Sequence, residues 1–282
     1  MSKTRMRAIS EQVIVITGAT TGVGRATANL AAERGAKVVI CSTEEEELRA
    51  LTEELRQKGG EVRFIIADVT RMKDLLKIKE EALTSFGRVD TWVNNAGTSL
   101  YGYLMDTSLE DERKLFEINF WGTRMGCQIA VECMKESGGT IINLGSEVSV
   151  ASQPLLGIYS ASKNAVKAIT DALRSELRDR NIPIEVTLIR PTAIDAPFAE
   201  HAGTCAEEIL KNAENPQRDV YVGGPAKLSA ILDTFFPQVK DMVSETRMKD
   251  LRGHETDYTT KSFIKTITNS ARKSLENFRR AG

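Results

Sequence analysis

The chain has very few of the residues that hold transition metals. It contains two histidines, His201 and His254, and four cysteines, and no two cysteines form a Cys-x-x-Cys pair. Protein zinc sites need three or four such ligands at short, regular spacings, so we expect no metal site. With this cysteine usage we expect reduced thiols and a cytoplasmic location.

The chain also lacks a strong charge of either sign and any long apolar run. Its formal net charge is −1, so it carries no excess of basic residues of the kind that nucleic-acid-binding proteins use. After a basic N-terminus, the first apolar run, Val13–Ile16, is far too short for a signal peptide or a membrane span. A length of 282 residues, 41% of them hydrophobic, suits one large soluble domain, alone or with an appendage.

Short apolar runs alternate regularly with longer helical patterns along the chain. The runs are rich in valine, isoleucine and leucine and predict buried strands at Gln12–Thr17, Lys37–Ser42, Val62–Asp68, Val89–Asn94, Thr140–Gly145 and Ile184–Arg190. The helical patterns cover about residues 23–34, 44–58, 71–86, 111–137 and 158–180. This alternation predicts an α/β fold, a doubly wound parallel sheet of six or seven strands with helices on both faces. Val220–Val222 is the candidate for an additional edge strand.

The character of the sequence changes near residue 225, which predicts a main domain over 1–224 and a C-terminal helical extension over 225–282. Within the extension, Lys227–Phe236 has a helical pattern that ends at Pro237, and Lys261–Arg280 carries a narrow apolar stripe. The stripe favours a helix that packs on its own domain or on a sister subunit. A helix lying on a membrane surface is the weaker alternative, because acidic residues interrupt the tail.

A glycine-rich segment, Thr17–Gly24, follows the first predicted strand and opens the first predicted helix. Its sequence is Thr-Gly-Ala-Thr-Thr-Gly-Val-Gly. Glycines at such a point permit a tight turn and let the backbone approach a pyrophosphate, while the helix N–H groups face the anion. A glycine-rich turn can also be a simple chain reversal, but its position between a strand and a helix favours dinucleotide binding.

Tyr159 and Lys163 stand four residues apart in the last of these predicted helices. At that spacing their side chains lie on one face, one turn apart. A phenol ordinarily titrates near pH 10 and is a poor acid or base at neutral pH. We expect the ammonium to lower the pKa of Tyr159 and make it a usable proton donor and acceptor for a carbonyl and its alcohol. The spacing alone is common on ordinary helices, so this interpretation depends on the rest of the chain.

Taken together, Thr17–Gly24, Asn94–Gly97, Asn119, Ser146 and the pair Tyr159 and Lys163 resemble the motifs of the short-chain dehydrogenase/reductase family, in order and approximate spacing. The resemblance covers roughly residues 10–200. It implies a Rossmann-like fold and an oxidoreductase, dependent on NAD or NADP, that interconverts a carbonyl and a secondary alcohol by hydride transfer.

The resemblance also implies catalytic roles for four residues. Tyr159 would be the general acid and base, and Lys163 would bind the nicotinamide ribose hydroxyls and lower the pKa of Tyr159. Ser146 would hydrogen-bond the substrate oxygen and stabilise its developing charge. Asn119 would hold a water that links Lys163 to solvent as a proton relay.

The cofactor, by the same resemblance, would lie along the carboxyl ends of the strands. Asp68 would contact the adenine ring, and Asn95 and its neighbours would stabilise the central sheet and line the cleft. The implied cofactor-binding residues are Gly18, Thr20, Thr21, Gly22, Val23, Gly24, Ser42, Thr43, Asp68, Val69, Asn95, Ala96, Gly97, Tyr159, Lys163, Pro191 and Ile194.

The end of the second predicted strand favours NADP over NAD, though weakly. An acid at Ser42 would accept the ribose 2′-hydroxyl of NAD and repel a 2′-phosphate, and no acid is there. Neither Thr43 nor Thr21 supplies the base that NADP-dependent relatives often carry, but Arg25 could reach the phosphate. Glu44–Glu47 follow at once, and we interpret them as the solvated first turn of a helix.

Two departures from the family pattern keep a second function open. Thr192 replaces the glycine that usually follows Pro191, and Ala196 stands where a threonine usually contacts the nicotinamide amide. The substrate lid before the next predicted helix, near Cys205, is short, and His201 within it is expected on a loop surface. A non-catalytic nucleotide-sensing or scaffolding protein is therefore the alternative. A sugar-nucleotide epimerase or dehydratase normally needs a larger C-terminal domain.

The substrate is expected to be a small molecule, a hydrophobic ketone or secondary alcohol. The candidate pocket-wall residues, which could equally be ordinary core, are Leu100, Tyr101, Tyr103, Val148, Leu155 and Phe198. The resemblance implies a homodimer or homotetramer assembled through the helices predicted at 111–137 and 158–180. We expect no nucleic-acid partner.

Overall fold

A computed structural model describes residues 6–149, 152–191 and 198–223 of the chain. Its strands are β1 (Val13–Thr17), β2 (Lys37–Ser42), β3 (Glu61–Ile66), β4 (Thr91–Asn94), β5 (Gly139–Leu144), β6 (Ile184–Pro191) and β7 (Asp219–Val222). Its α-helices are α1 (Gly22–Glu33), α2 (Glu45–Gln57), α3 (Met72–Phe86), α4 (Leu109–Phe116), α5 (Thr123–Met134), α6 (Gly157–Asp179) and α7 (Phe198–Glu214). The predicted C-terminal extension, residues 225–282, lies outside the described residues. No helix within the described ranges is long and apolar enough to cross a membrane.

All seven strands run parallel in one sheet, in the order β3-β2-β1-β4-β5-β6-β7. The predicted doubly wound parallel sheet is thereby confirmed, and the candidate edge strand forms β7. From β1 the chain moves outward to β3 and then crosses back to β4, so the strand order reverses between β1 and β4. Ligands of such sheets bind in the crevice outside the carboxyl ends of the strands at this reversal.

Helices cover both faces of the sheet, because successive strand residues point to opposite sides. In β1, Ile14 and Ile16 pack in the core beneath α1, α2 and α7, whereas Val15 packs in the core beneath α3, α5 and α6. Every residue of β1 and of β5 is buried. Burial on both faces explains why these strands have nearly continuous apolar sequences rather than alternating ones.

The long helix predicted at 111–137 is interrupted. α4 begins after Ser108, whose hydroxyl accepts a hydrogen bond from the Asp111 N–H at 3.1 Å. A π-helical turn, Glu117–Gly122, then separates α4 from α5 and places the fully buried Asn119 on the inner side. One wider turn leaves the helical pattern on either side intact, so the sequence pattern does not predict it.

Besides the interrupted helix, three elements start or end two or more residues from the predicted position. β3 ends at Ile66, so Asp68 lies two residues past the strand instead of ending it, and β4 begins at Thr91 instead of Val89. α7 begins at Phe198, so the residues predicted as a lid loop form the first turns of a helix. The prediction for His201 is therefore wrong: it is half-buried on α7, with its Nε2 3.7 Å from the Cys205 sulfur. Packing of α7 on α1 outweighs the low helix propensity of the glycine at 203.

A buried chain of side-chain hydrogen bonds ties α6 to the middle of the sheet. Asn94 Oδ1 accepts from the Trp92 indole at 2.9 Å, and Asn94 Nδ2 donates to Asn143 Oδ1 at 2.8 Å. Asn143 Nδ2 in turn donates to Thr170 Oγ1 at 2.9 Å. Gly126 on α5 leaves the space that this network needs, since a Cβ there would collide with Asn94 Oδ1.

We expect Gly126→Ala to destabilise the fold by about 2 kcal/mol, because the new methyl group must displace a buried, hydrogen-bonded side chain. Gly203→Ala is the matched control: a Cβ there meets nothing within 4 Å, and alanine should stabilise α7 by about 0.5–1 kcal/mol. Urea denaturation of both variants measures the two changes. Equal stabilities would contradict the steric argument.

Candidate active site

The glycine-rich turn is held in place by the residues that end β1 and β4. Thr17 Oγ1 accepts hydrogen bonds from the N–H groups of Asn95 and Ala96, each at 3.0 Å. Asn95 Nδ2 donates to the carbonyl oxygens of Thr17 and Gly18, each at 2.9 Å. The turn is therefore clamped at the point where the strand order reverses.

Three glycines of the turn occupy positions that other residues would not tolerate. Gly18 and Gly22 have φ angles of +64° and +53°, and a Cβ on Gly18 would lie 2.8 Å from the Ala96 Cα. A Cβ on Gly24 would collide with the Gly18 carbonyl and with Asn95 Nδ2. Bare backbone and the first N–H groups of α1 thus lie at the crevice, as an anion site requires. Thr20, Thr21 and Val23 belong to the same segment.

Ser42 ends β2 next to the glycine-rich turn. Its hydroxyl lies 3.2 Å from Thr20 Oγ1 and accepts a hydrogen bond from the Glu44 N–H at 3.2 Å. Thr43 beside it is exposed. Arg25, the base that could reach a 2′-phosphate, instead donates to Glu54 at 2.8 Å across the helix surface. Binding a phosphate through Arg25 would require this exposed ion pair to open.

Asp68 and Val69 follow β3 at the same edge of the sheet. The Asp68 Oδ1 accepts hydrogen bonds from the N–H and the hydroxyl of Thr70, at 2.9 Å and 2.7 Å. Val69 is buried beneath Gly122 of the π-helical turn, where a Cβ would lie only 2.8 Å from Val69 Cγ2. Asp68 therefore shapes the turn into α3 while remaining half-buried at the crevice.

Tyr159, Lys163 and Ser146 come together at the carboxyl end of β5. α6 begins at Gly157, so both Tyr159 and Lys163 lie in its first two turns. Lys163 Nζ donates to the Leu144 carbonyl oxygen at 2.9 Å and lies 5.9 Å from the centre of the Tyr159 ring. The Ser146 side chain, just past β5, lies near the Tyr159 phenol and lowers its pKa.

Asn119 reaches the same place from the π-helical turn. Its Oδ1 accepts from the Thr98 N–H at 2.8 Å, and its Nδ2 donates to the Thr98 carbonyl at 2.9 Å and to Ser162 Oγ at 3.1 Å. The Ser162 hydroxyl donates to the Tyr159 carbonyl oxygen at 2.7 Å. The Asn119 side chain thus joins the segment after β4 to the first turn of α6, so a relay water would have to bind elsewhere on this residue.

The titration of Tyr159 differs from the expectation. Burial raises its pKa to about 12; the Ser146 hydrogen bond opposes this rise, while Tyr101 and Glu147 add to it. Burial also lowers the pKa of Lys163 to about 8. The expected lowering of the Tyr159 pKa is therefore wrong for the protein alone, because burial of the phenol raises this pKa. The phenol is held protonated and ready to donate.

The remaining predicted site residues are only partly described. Pro191 ends β6 opposite Val222 of β7, whereas Thr192, Ile194 and Ala196 lie outside the described residues. Gly97 lies beside Asn119 and Lys163: a Cβ there would be 3.2 Å from Asn119 Oδ1 and 3.5 Å from Lys163 Nζ.

The residues predicted to form the pocket wall differ in their burial. Val148 is buried in the packing of its short 3-10 turn on α6, so it belongs to the core. Leu100 and Leu155 are half-buried, and Tyr101 and Tyr103 are exposed on the segment that follows Gly97. The side chain of Phe198 lies outside the described residues.

Sequence reasoning missed the roles of the Thr17 and Ser162 hydroxyls and the position of Glu147. Ser162 had a detectable signal, because a serine three residues after Tyr159 on a helix can bond back to its carbonyl. Thr17 had none, since its partners lie 78 and 79 residues away. Glu147 adjoins Ser146, and only the structure brings its charge to Tyr159.

The lowered pKa of Lys163 has a measurable effect on stability. The unfolded chain, with a lysine pKa near 10.5, binds one more proton than the folded chain between about pH 8 and 10.5, so this lysine contributes stability as the pH rises. Between pH 7 and 10 the unfolding free energy of the wild type should rise relative to that of Lys163→Met by up to about 3 kcal/mol. Urea denaturation at several pH values measures the difference.

The control is Lys167→Met, one turn further along α6, where the lysine pairs with Asp171 at 2.8 Å. Its curve should run parallel to that of the wild type in this pH range. A parallel curve for Lys163→Met as well would contradict a low pKa at Lys163.

Comparison with known proteins agrees with the fold. The sequence profile described as short chain dehydrogenase matches residues 12–205, which include the glycine-rich turn and the cluster around Tyr159. The crystal structure of a short chain dehydrogenase/reductase from Burkholderia phymatum, in complex with NAD, superimposes with a TM-score of 0.73. It is 25% identical in sequence, and the match covers 90% of this chain and 100% of that one.

Two curated relatives are similar over most of their length. The uncharacterized oxidoreductase YxnA of Bacillus subtilis is 40% identical over 267 residues, 88% of this chain and 75% of the relative. The L-fucose dehydrogenase of Oryctolagus cuniculus is 35% identical over 224 residues, 78% of this chain and 76% of the relative. This chain is therefore a member of the short-chain dehydrogenase family of oxidoreductases.

Proposed function

We propose that the protein interconverts a carbonyl and a secondary alcohol, with a nicotinamide cofactor in the crevice and Tyr159 as the general acid and base. The observation that carries this proposal is the arrangement at the carboxyl end of β5, where Lys163 Nζ lies 5.9 Å from the centre of the Tyr159 ring and donates to the Leu144 carbonyl two residues before Ser146. These groups lie on the side of the sheet where the glycine-rich turn ends, so a dinucleotide on that turn can extend toward them.

The residues present fit a bound dinucleotide. The glycines of the turn expose backbone at the N-terminus of α1, and Lys163, whose Nζ lies next to Gly97, would donate hydrogen bonds to the ribose hydroxyls. When bound, the nicotinamide supplies or accepts the hydride. The relative from Burkholderia phymatum, whose structure contains NAD, supports a cofactor of this class.

Side chains of the protein bind the substrate oxygen and transfer its proton. During reduction, the Tyr159 phenol donates its proton to the carbonyl oxygen, and the Ser146 hydroxyl donates a hydrogen bond to the same oxygen. The raised pKa of Tyr159, about 12, keeps the phenol protonated for this step at neutral pH. Asn119 and Ser162 hold the first turn of α6, and with it the phenol, in position. The ammonium of Lys163 lies next to the phenolate that develops on Tyr159.

The preference for NADP over NAD is a proposal that depends on Ser42. A hydroxyl in this position does not repel a 2′-phosphate, whereas a carboxylate would. Arg25 would have to leave Glu54 to bind that phosphate, which costs little because the ion pair is exposed. The negatively charged glutamates that begin α2 oppose binding of a 2′-phosphate, so we expect the preference for NADP to be small.

We further propose a cytoplasmic homodimer or homotetramer that acts on a small, mainly hydrophobic substrate and assembles through the helices α4, α5 and α6. The exposed Trp121 and Leu109 on the α4–α5 side support an interface there, since large apolar side chains in contact with water favour association. The half-buried Leu100 and Leu155 near Tyr159 support apolar contacts to the substrate.

Tyr159→Phe should lower kcat/KM by about 10²–10⁴-fold, because the proton donor is lost while the ring still fills its place. The affinity for the cofactor should stay close to that of the wild type. Tyr221→Phe is the matched control, since Tyr221 lies on the edge strand β7 and has no place in the proposed site, and it should leave turnover unchanged. Spectrophotometric assays on a panel of ketones and secondary alcohols measure this. Cofactor binding without turnover in the wild type would favour the nucleotide-sensing or scaffolding alternative.

Ser42→Asp should shift the ratio of the dissociation constants of NADPH and NADH at least about tenfold toward NADH, since the new carboxylate repels a 2′-phosphate. Ser42→Ala is the control: it removes the hydroxyl without adding a charge, so it shows the effect of losing the hydroxyl alone. Fluorescence titration with both nucleotides gives the ratio for each variant. A wild type that binds NADH more tightly would overturn the preference for NADP, and an unchanged ratio in Ser42→Asp would place the adenosine ribose away from β2.

A further inference from the structure

A short turn between β4 and α4 holds large apolar side chains in contact with water. Its residues Tyr103, Leu104 and Met105, which form the apolar turn, are 50%, 60% and 89% exposed. The Tyr103 carbonyl oxygen accepts hydrogen bonds from the N–H groups of Asp106 and Thr107, at 2.9 Å and 3.2 Å. Contiguous apolar side chains on an ordered backbone are typical of a surface that another segment or protein covers.

The apolar turn is fixed between α4 and the start of α6. A Cβ on Gly157, the first residue of α6, would lie 3.6 Å from Leu104 Cδ1. The Thr107 hydroxyl donates to Glu112 Oε1 at 2.6 Å and thereby ties the turn to α4. The turn is therefore a preformed surface, which can accept a partner without first ordering its backbone.

Exposed carboxylates border the apolar turn. Asp106 follows Met105 directly, and Glu110 and Asp111 lie in the first turn of α4. Acidic residues are favourable at a helix N-terminus, but here they also give the surroundings of the apolar turn a negative charge. The surface therefore fits a partner that combines an apolar stripe with positive charge, and it repels an anionic membrane.

One segment of the same chain has this chemistry. Residues 261–280 include six basic residues and one acidic residue. At helical spacing, an apolar stripe runs along the segment, formed by Ile264, Ile267, Ala271, Leu275 and Phe278. Four of the basic residues recur at helical spacing along one side of this stripe, namely Lys261, Lys265, Arg272 and Arg279. The sequence pattern thus places a basic edge beside an apolar stripe.

The chain is long enough to bring this segment to the apolar turn. The last described range ends at Gly223, directly after β7, and the carboxyl ends of β7 and β4 lie at the same edge of the sheet. Only β6 and β5 separate these two strands, so their ends are about 15 Å apart. The 37 residues 224–260 would span about 55 Å even as a continuous helix.

We propose that the segment 261–280 packs its apolar stripe on the apolar turn of its own chain, with its basic edge against the three neighbouring carboxylates. The apolar stripe alone would suit many hydrophobic surfaces, whereas the basic edge selects the acidic surroundings of this one. Leu104 and Met105 are then buried beside the start of α6. This inference does not depend on the proposed enzymatic function.

Oxidation of Met105 by hydrogen peroxide in the full chain, followed by mass spectrometry, tests the inference, because covering a thioether slows its conversion to the sulfoxide. Met105 should react at least about tenfold faster in Ile267→Asp, which places a charge in the apolar stripe, than in the wild type. Thr266→Asp is the matched control: it adds the same charge one residue away, off the stripe, and should keep the wild-type rate. Met134, buried in the core, reports any general unfolding and should react equally slowly in all three proteins.

Equal rates at Met105 in the wild type and Ile267→Asp would overturn the inference. Equally fast rates would mean that the turn is open, and equally slow rates that something else covers it, such as a second copy of the chain. The same acceleration in Thr266→Asp would contradict the role of the stripe.

The double variant Glu110→Lys/Asp111→Lys tests the charge pairing. It should also accelerate the oxidation of Met105, because the new lysines repel the basic edge. An unchanged rate would rule out this pairing.

Cross-linking identifies the chain that supplies the segment. In a mixture of 15N-labelled and unlabelled protein, a carbodiimide should join Glu110 or Asp111 to Lys265 within one chain. Links mainly between a labelled and an unlabelled chain would assign the segment to a partner subunit and contradict the proposed packing within one chain.

Discussion

The hydrogen bond from Lys163 to the carbonyl oxygen of Leu144 joins α6 to the carboxyl end of β5, and the geometry of the site depends on it. An ammonium that has lost its hydration costs several kcal/mol unless protein groups replace the water. The carbonyl takes one of the three N–H donors of Lys163, and the low pKa of this lysine reflects the cost that is left. A ligand with hydroxyl groups would accept hydrogen bonds from the remaining N–H groups of Lys163. The buried ammonium therefore both fixes the first turns of α6 and favours a polar ligand beside them.

The same burial determines the protonation of Tyr159. In the protein alone the phenol is desolvated and lies near the charge of Glu147, so it keeps its proton. A neutral phenol has the form that reduction of a carbonyl needs at the start, whereas oxidation of an alcohol needs the phenolate. In the protein alone the side chain is thus a proton donor, and additional positive charge beside the ring would favour the phenolate.

The sequence predicts the sheet well because β1 and β5 are buried on both faces and leave continuous apolar runs between glycines. The family resemblance, rather than any periodicity, predicts that Asn119, Ser146 and Lys163 belong together with Tyr159, and these residues follow β4 and β5, which are neighbours in the sheet. The π-helical turn and the early start of α7 escape prediction, because the first preserves the helical pattern and the second depends on packing against α1. The pKa of Tyr159 escapes it too, since spacing along a helix says nothing about desolvation.

The π-helical turn between α4 and α5 contains one residue more than an ordinary helical turn, and this residue sets the relative orientation of the two helices. It lets Asn119 point into the molecule while Trp121, two positions later, is 47% exposed. Deleting a residue here would rotate α5 against α4 by about 100°. Either Asn119 would then leave Thr98, or the buried side chains of Ile129 and Met134 would turn toward water. An insertion or deletion within Glu117–Gly122 would therefore disturb the buried contacts of one of the two helices.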